Sequence, residues 1–324
     1  MRYYKIVTPS QTWDATSDPN ALNVEMDLVV YPQHTPGGSS FVRVWGIPLS
    51  TILSANQFNK KPIQVYGGMQ KGLPLANPNQ AGLLVDGTIL PCVGNWVNTD
   101  MTLDFFIPNR VGAPTVPGAA NIIHNWKQGT PLSQAIKQTL QTAFPALTPK
   151  INISPQLTLN YNDTGFYQSM YQYADYIISI SRSIMNATNS LTSTYLGVHM
   201  SVQGTNIVVS DGTQQQTKAG VINFQDLIGQ PIWTGPQTIQ FKTVMRADIN
   251  QGDTVTLPKA LSQLTGSSVA GIAGSAANNI IQGSFYITRV RHTGNFRQPD
   301  WPSWCSTFDA NVATASGQGG IGHQ

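Results

Sequence analysis

The sequence predicts a β-rich α+β protein, with two antiparallel barrel or sandwich regions resembling each other in texture and a helix-containing region between them. Three observations carry this. Only 10% of the 324 residues are Asp, Glu, Lys or Arg, against about 25% in an ordinary globular chain. Glu25 is the only glutamate, so there is little of the charged cover that exposed helix faces use. Finally, short apolar runs of period two recur in residues 1–112 and 216–313, whereas helical spacing is confined to the stretch between them.

The elements follow in chain order. In "ALNVEMDLVVY", Leu22, Val24, Met26, Leu28 and Val30 alternate with Asn23, Glu25, Asp27 and Val29, the signature of a strand with one buried face. "FVRVWGI" (41–47), "PIQVYGGM" (62–69), "GLLVDGTIL" (82–90) and "MTLDFFI" (101–107) continue the pattern. The segments "TPGGSS", "GLPLANPNQAG" and "GNWVNTD" read as turns between them. Several short strands at this spacing predict a small antiparallel barrel or sandwich over 1–112, closed by the Pro/Gly linker "NRVGAPTVPGA" (109–119).

Residues 113–215 read as an α+β domain. Thr130 suits a helix N-cap and Pro131 the first helical position. Leu132, Ala135, Ile136, Leu140 and Phe144 make one apolar face, and Pro145 ends the helix. A second helix is expected over 165–186, capped by Asp163 or Thr164, with Phe166, Met170, Ala174, Ile177, Ser181 and Ile184 on its inner face. Its tyrosines (Tyr167, Tyr171, Tyr173, Tyr176) fit either a sugar-stacking platform or core packing, and amphipathic rings favour packing. "YLGVHMSVQGTNIVVSDGT" predicts two strands turning at Gly204.

Residues 216–313 return to sheet. Two strands flank "DINQGD", "KALSQLTGSSVAGIAGSAANNIIQ" (259–282) reads as a long loop, and "SFYITRVRHTGNF" gives a strong strand and turn. In that strand, alternation puts Phe285, Ile287, Arg289 and Arg291 on one side and Tyr286, Thr288, Val290 and His292 on the other. "WCSTFDANV" is a last strand, and 314–324 a flexible tail. No short-period repeat is present.

Little in the chain points to catalysis. No GxSxG, HExxH, Walker lysine loop or dinucleotide glycine motif occurs. The five histidines are isolated, and Cys92 and Cys305 have no metal spacing, so neither a metal nor a cofactor is expected. The two cysteines read as free buried thiols, with a disulfide as the other option. Asp226, in an apolar segment, is the one carboxylate worth testing for a perturbed environment. His292 reads as a strand-end residue bonded to a loop rather than a general base. The net charge of +3 and pI near 8.8 come from scattered basic residues, not a nucleic-acid stripe. No apolar run is long enough to span a bilayer and the N-terminus has no signal-peptide core, which predicts a soluble protein made in a cytoplasm.

Three C-terminal segments, "DLIGQPIW" (226–233), "FKTVMRADINQGDTVTLP" (241–258) and "GSFYITRVRHTGNFRQPDWPSW" (283–304), resemble in order the final strands of the baseplate hub proteins of contractile-tailed bacteriophages. "GTPLSQAIKQTL" and "YLGVHMSVQGTNIVVSDGT" resemble the hub's α+β domain, and "VWGIPLSTI" with "PIQVYGGMQKGLPLANPNQAGLLVDGTI" its first barrel. The resemblance implies two tail-tube-like domains per chain, 1–112 and 216–313. It also implies a homotrimer forming a pseudo-sixfold ring between a tail tube, or a tube-initiator protein, and a central spike. The 113–215 domain would contact neighbouring baseplate proteins, and DNA would only pass through the channel. The expected role is structural, in the virion tail baseplate, after synthesis in the host bacterial cytoplasm. Arg289, Arg291 and Arg297 are the expected subunit-contact residues. The alternatives are a tail-associated cell-wall hydrolase and a receptor-binding tail protein.

Overall fold

The computed structural model describes residues 2–16, 20–30, 39–70, 78–108, 121–187, 195–203, 206–213, 220–235, 238–261 and 280–312. The fold is β-rich, with several antiparallel sheets and few helices. Two compact units are present: Met1–Val30, Gly37–Asn109 and Ala219–Val312 build the first, and Arg110–Lys218 supplies the second. The tail at 314–324 and most of the 259–282 loop lie outside the described residues.

The first stretch runs through β1 (Arg2–Val7), β2 (Thr12–Asp14), β3 (Val24–Val30), β4 (Ser39–Trp45), the short helix α1 (Leu49–Leu53), β5 (Pro62–Met69), β6 (Gly82–Thr88), β7 (Cys92–Val97) and β8 (Asp100–Pro108). Alternation builds these strands as expected: Val24, Met26 and Leu28 are buried while Glu25 and Asp27 are not. β7 is a departure, because "GNWVNTD" reads as a turn. The turn is confined to Asn98–Thr99, with Asn98 at φ 54°, and Cys92–Val97 pairs with β8 from Cys92↔Phe105 to Val97↔Asp100. The strand was hidden because it lies at a sheet edge with Val93, Trp96 and Val97 exposed, so burial imposes no alternation on it.

The second unit holds β9 (Ile122–Trp126), α2 (Leu132–Ala143), β10 (Thr148–Asn152), β11 (Asp163–Tyr167), α3 (Met170–Ala187), β12 (His199–Gln203) and β13 (Asn206–Ser210). Helix α2 buries Leu132, Ala135, Ile136 and Leu140, its expected face. Pro131 itself is the N-cap residue, with φ −61° and ψ 139°, so the helix starts one residue later than a Thr130 cap would set it. Helix α3 starts at Met170, not 165. Residues Asp163–Tyr167 instead pair antiparallel with β9, Phe166 opposite Ile123, and satisfy backbone groups that β9 would otherwise leave open. Phe166 is therefore exposed rather than part of the helix's inner face. β10, β13 and β12 form a three-stranded sheet in which β10 and β13 run parallel.

The last stretch returns to the first unit with β14 (Gly220–Val221), β15 (Ile232–Gly235), β16 (Thr238–Val244), β17 (Thr254–Leu261), β18 (Ile280–Asn295) and β19 (Trp304–Val312). β18 continues through "TGN", where a turn was expected. Thr293 and Gly294 stay in the sheet because β19 on one side and β3 on the other pair with them, and Asn295 because it pairs with Glu25 of β3. The strict alternation expected for this strand also fails. A bulge between Ile287 and Arg289 leaves Thr288 unpaired, with its hydroxyl donating to the Asp309 carbonyl at 3.0 Å. The extra residue shifts the pleat, so Phe285, Ile287, Val290 and His292 are all buried while Arg289 and Arg291 face the other way.

In the first unit one antiparallel path runs β15-β16-β19-β18-β3-β4-β8-β7, and β17 lies beside the N-terminal half of β18. Beside it, β2-β1-β5-β6 forms a second sheet. Two hydrophobic clusters lie under these sheets. One gathers Tyr4, Ile6, Val24, Val42, Phe58, Val65, Leu103 and Phe105. The other gathers Ile239, Phe241, Val255, Ile287, Val290 and Phe308, with the Phe241 and Phe308 rings stacked at 5.1 Å.

Candidate assembly interface

The long path has a core face and a polar face, set by the pleat. On the polar face the cations are held by carboxylates of neighbouring strands. The Arg43 guanidinium donates to both Asp104 oxygens at 2.7 Å and lies over the rings of Phe41 and Trp45. Asn95 of β7 adds a third bond to Asp104 at 3.0 Å. Arg291 forms a bidentate pair with Asp27, at 2.8 and 2.6 Å, across the β18–β3 junction. Arg289 reaches Asp309 at 3.4 Å. Arg297, beyond β18, donates to the Ala21 carbonyl at 2.7 Å. All three sequence-selected arginines thus engage their own chain in this structure.

Asp226 is buried, and its partner is one the sequence did not disclose. Arg246, itself only 3% exposed, donates to Asp226 at 3.3 Å and clamps Asp248 through two bonds of 2.7 and 2.6 Å. Gln80 adds a bond to Asp226 at 3.2 Å. The cluster ties β16's outgoing chain to the residues before β6, through Gln80 and the Ala247 N–H to Gln80 carbonyl bond of 2.7 Å. It is a fully engaged structural centre.

His292 is buried mid-strand, with Nδ1 at 2.8 Å from the Ser306 hydroxyl, not bonded to a loop as expected for a strand end. Burial lowers its pKa to about 4, so the ring is neutral at pH 7. In the second unit His124 is also buried, its Nδ1 at 3.1 Å from Thr139 Oγ1 and 3.0 Å from the Tyr173 hydroxyl, and burial likewise lowers it to about 4. Tyr167, Tyr173 and Tyr176 pack around it. Tyr176 donates to Asp163, and burial followed by that contact raises its pKa. Core packing therefore accounts for these three rings; Tyr171 is 40% exposed. Cys92 and Cys305 are free and buried, and burial pushes the Cys92 thiol up to about 12. Among the described residues no cluster of three or more His, Cys, Asp or Glu is placed to hold a metal ion. Among them, too, no helix is long and apolar enough to cross a membrane.

What the described surface does offer is a sheet path with no further strand at either end, although the Cys92 N–H at the start of β7 is held by Asn59 Oδ1 at 2.7 Å. β7 and β15 terminate the path. β7 exposes Val93, Trp96 (62%) and Val97 (63%), and α1 beside it exposes Leu53. Open, apolar strand edges invite pairing with another chain.

No protein-family model matches the chain, and no curated relative does. Solved structures do. The tail protein from Neisseria meningitidis MC58 superposes with a TM-score of 0.50 at 8% identity, covering 96% of each chain. The 43 kDa tail protein of prophage MuSo2 from Shewanella oneidensis gives 0.49 at 6% identity, over 97% of this chain and 98% of that one. A Francisella PdpA–VgrG complex gives 0.41 at 8% identity, over 100% of this chain and 60% of that one. The chain shares its fold with the Neisseria tail protein across nearly the whole length of both chains.

Proposed function

We propose that this chain is a structural, non-enzymatic subunit of a phage tail, the hub of its baseplate. Three copies close into a ring that joins the tail tube, or its initiator protein, to the central spike. One observation carries the reading. Along the path β15-β16-β19-β18-β3-β4-β8-β7, the four strands of each half stand in the same chain order: first, second, fourth, third. The two halves follow one another head to tail in the same orientation. The registers agree as well. β4 pairs with β8 over seven residues, from Trp45↔Thr102 to Ser39↔Pro108, and β16 pairs with β19 over seven, from Val244↔Cys305 to Thr238↔Asn311. Just beyond, Gly46 N–H bonds the Met101 carbonyl as Met245 N–H bonds that of Trp304.

A head-to-tail repeat gives one chain two equivalent places in a rotationally closed assembly. Three chains then supply six places, enough to meet a sixfold tube on one side and a threefold spike on the other. In this reading 1–112 and 216–313 are the two tube-like domains, joined by a continuous sheet and by Met245 and Trp304, which the second domain contributes to the first hydrophobic cluster, and 113–215 is the domain turned to baseplate neighbours. The polar face lines the channel. Its Arg43, Arg289 and Arg291 are matched by Asp104, Asp309 and Asp27, so DNA passes without the phosphate binding that unmatched cations would cause. Arg289, Arg291 and Arg297 remain the subunit-contact residues of the proposal. The protein would reside in the virion tail after synthesis in the host cytoplasm, with no cofactor. Native mass measurement of the full chain, with low-resolution imaging of the particle, tests this: a trimer and a threefold ring are expected. A chain that is monomeric at high concentration and absent from any ring in the particle would defeat it.

A further inference from the structure

The internal repeat also says what the two open edges are for. The halves join where β18, third strand of one half, pairs antiparallel with β3, first strand of the other. The open edges are β7, a third strand, and β15, a first strand. They are the two sides of the same kind of joint, left unmade within one chain. Strand directions agree: every pair along the path is antiparallel, so β7 and an incoming β15 meet antiparallel, as β18 and β3 do.

Equivalent positions then set the register. Cys92 faces Phe105 on β8, three pairs in from Thr102; Val290 faces Phe308 on β19, three pairs in from Cys305. Val93, Gly94 and Asn95 therefore correspond to Arg291, His292 and Thr293. Asp27 faces Phe41 on β4, and Ile232 faces Gln240 on β16, at equivalent places in the seven-residue register. Ile232 therefore corresponds to Asp27, and Trp233 to Leu28. Within the chain Thr293 stands opposite Asp27, and His292 opposite Leu28.

We infer that β7 of one copy pairs with β15 of the next, with Asn95 opposite Ile232 and Gly94 opposite Trp233. The inference rests on the ring reading and specifies its contact. It also gives the joint a chemistry of its own. The internal joint is tied by Arg291 and Asp27; the same two places on the open edges hold Val93 and Ile232. The chain-to-chain seam is apolar where the internal one is ionic, and Trp96 and Val97 extend it. A swapped joint would set Arg291 against Ile232 and leave a guanidinium without its carboxylate, which discriminates against wrong closure.

Cysteine cross-linking of the full chain reads the register directly. Asn95→Cys combined with Ile232→Cys places two thiols on directly opposed residues. Their Cβ atoms stand about 4.5–5.5 Å apart, which small adjustments bring within disulfide reach. Both edges of one chain are at opposite ends of the path, so any disulfide between these positions joins two copies. Val97→Cys with Ile232→Cys is the control, two residues out of register on the same face. Covalent oligomers from the first pair and few from the second are expected. A ring that forms by native mass, yet cross-links no better through 95/232 than through 97/232, overturns the pairing while leaving the ring reading intact. A chain that stays monomeric overturns both. As a second readout, Val93→Arg alone should weaken self-association roughly tenfold or more, and adding Ile232→Asp should restore it by installing the internal joint's ion pair. Unchanged association in the single variant would count equally against the seam.

Discussion

Two histidines and one arginine show how an uncharged-looking core responds to chemistry. His124 and His292 are held near pKa 4 by burial, below about 6.5 in an unfolded chain. Their stabilising contribution is complete above pH 6.5. It is lost as pH falls from 6.5 towards 4, because the unfolded chain takes up protons that the core excludes. Each histidine should contribute a slope of about 1.4 kcal/mol per pH unit in that window. Urea unfolding between pH 6.5 and 5 should show His292→Asn removing one histidine's share of the slope. Arg246 is the opposite case, a buried cation whose loss strands a buried carboxylate. Arg246→Met should destabilise the chain by about 3–5 kcal/mol, and adding Asp226→Asn should recover part of that, read as chemical-denaturation midpoints. The sequence singled out Asp226 by its apolar surroundings; its partner lies 20 residues on, at the end of the strand that precedes "DINQGD", and no spacing rule links them.

At the level of elements, burial decides what is legible. β5 and β19 match the expected 62–69 and 304–312 because one face of each is packed and the alternation is enforced. β7 exposes Val93, Trp96 and Val97 without regular alternation and carries no such mark. Its position depends on a close approach instead. A Cβ at Gly94 would lie 2.7 Å from the Ile52 side chain and 2.8 Å from its carbonyl oxygen, so α1 closes over the strand only because residue 94 has no side chain. Gly94→Val should cost about 1–3 kcal/mol through overpacking, measurable as a lowered melting temperature. Leu140→Ala on α2, whose apolar spacing was fully readable, should cost about 2–5 kcal/mol.

For the whole molecule, the repeat in strand order matters more than any single contact. It is invisible in the sequence because equivalent places hold unlike residues: Val93 and Arg291, Gly94 and His292, Ile232 and Asp27. Sheet geometry constrains backbone pairing and the core face, while the identities at a joint follow whether it is made within a chain or between chains. Charge reversal separates these levels. Arg291→Glu sets two anions at the internal joint with Asp27; as a half-exposed pair, its loss should cost at most about 1 kcal/mol in monomer stability. Comparing that figure with the change in native-mass assembly tells whether Arg291 also touches a neighbouring copy: a drop in assembly beyond the stability loss is expected under the hub reading.

By itself the sequence determined the β-rich class, the apolar face of α2, most strands with a buried face, and the absence of a recognisable catalytic motif. These are local consequences of which residues must leave water. The tertiary structure alone decided the bulge at Thr288, the strand at Asp163–Tyr167, the Arg246 centre and the head-to-tail joining of two half-sheets through β3 and β18. Each depends on a partner far away in the chain. Backbone hydrogen bonds carry no residue code, and a buried charge is satisfied by whichever group the fold delivers to it.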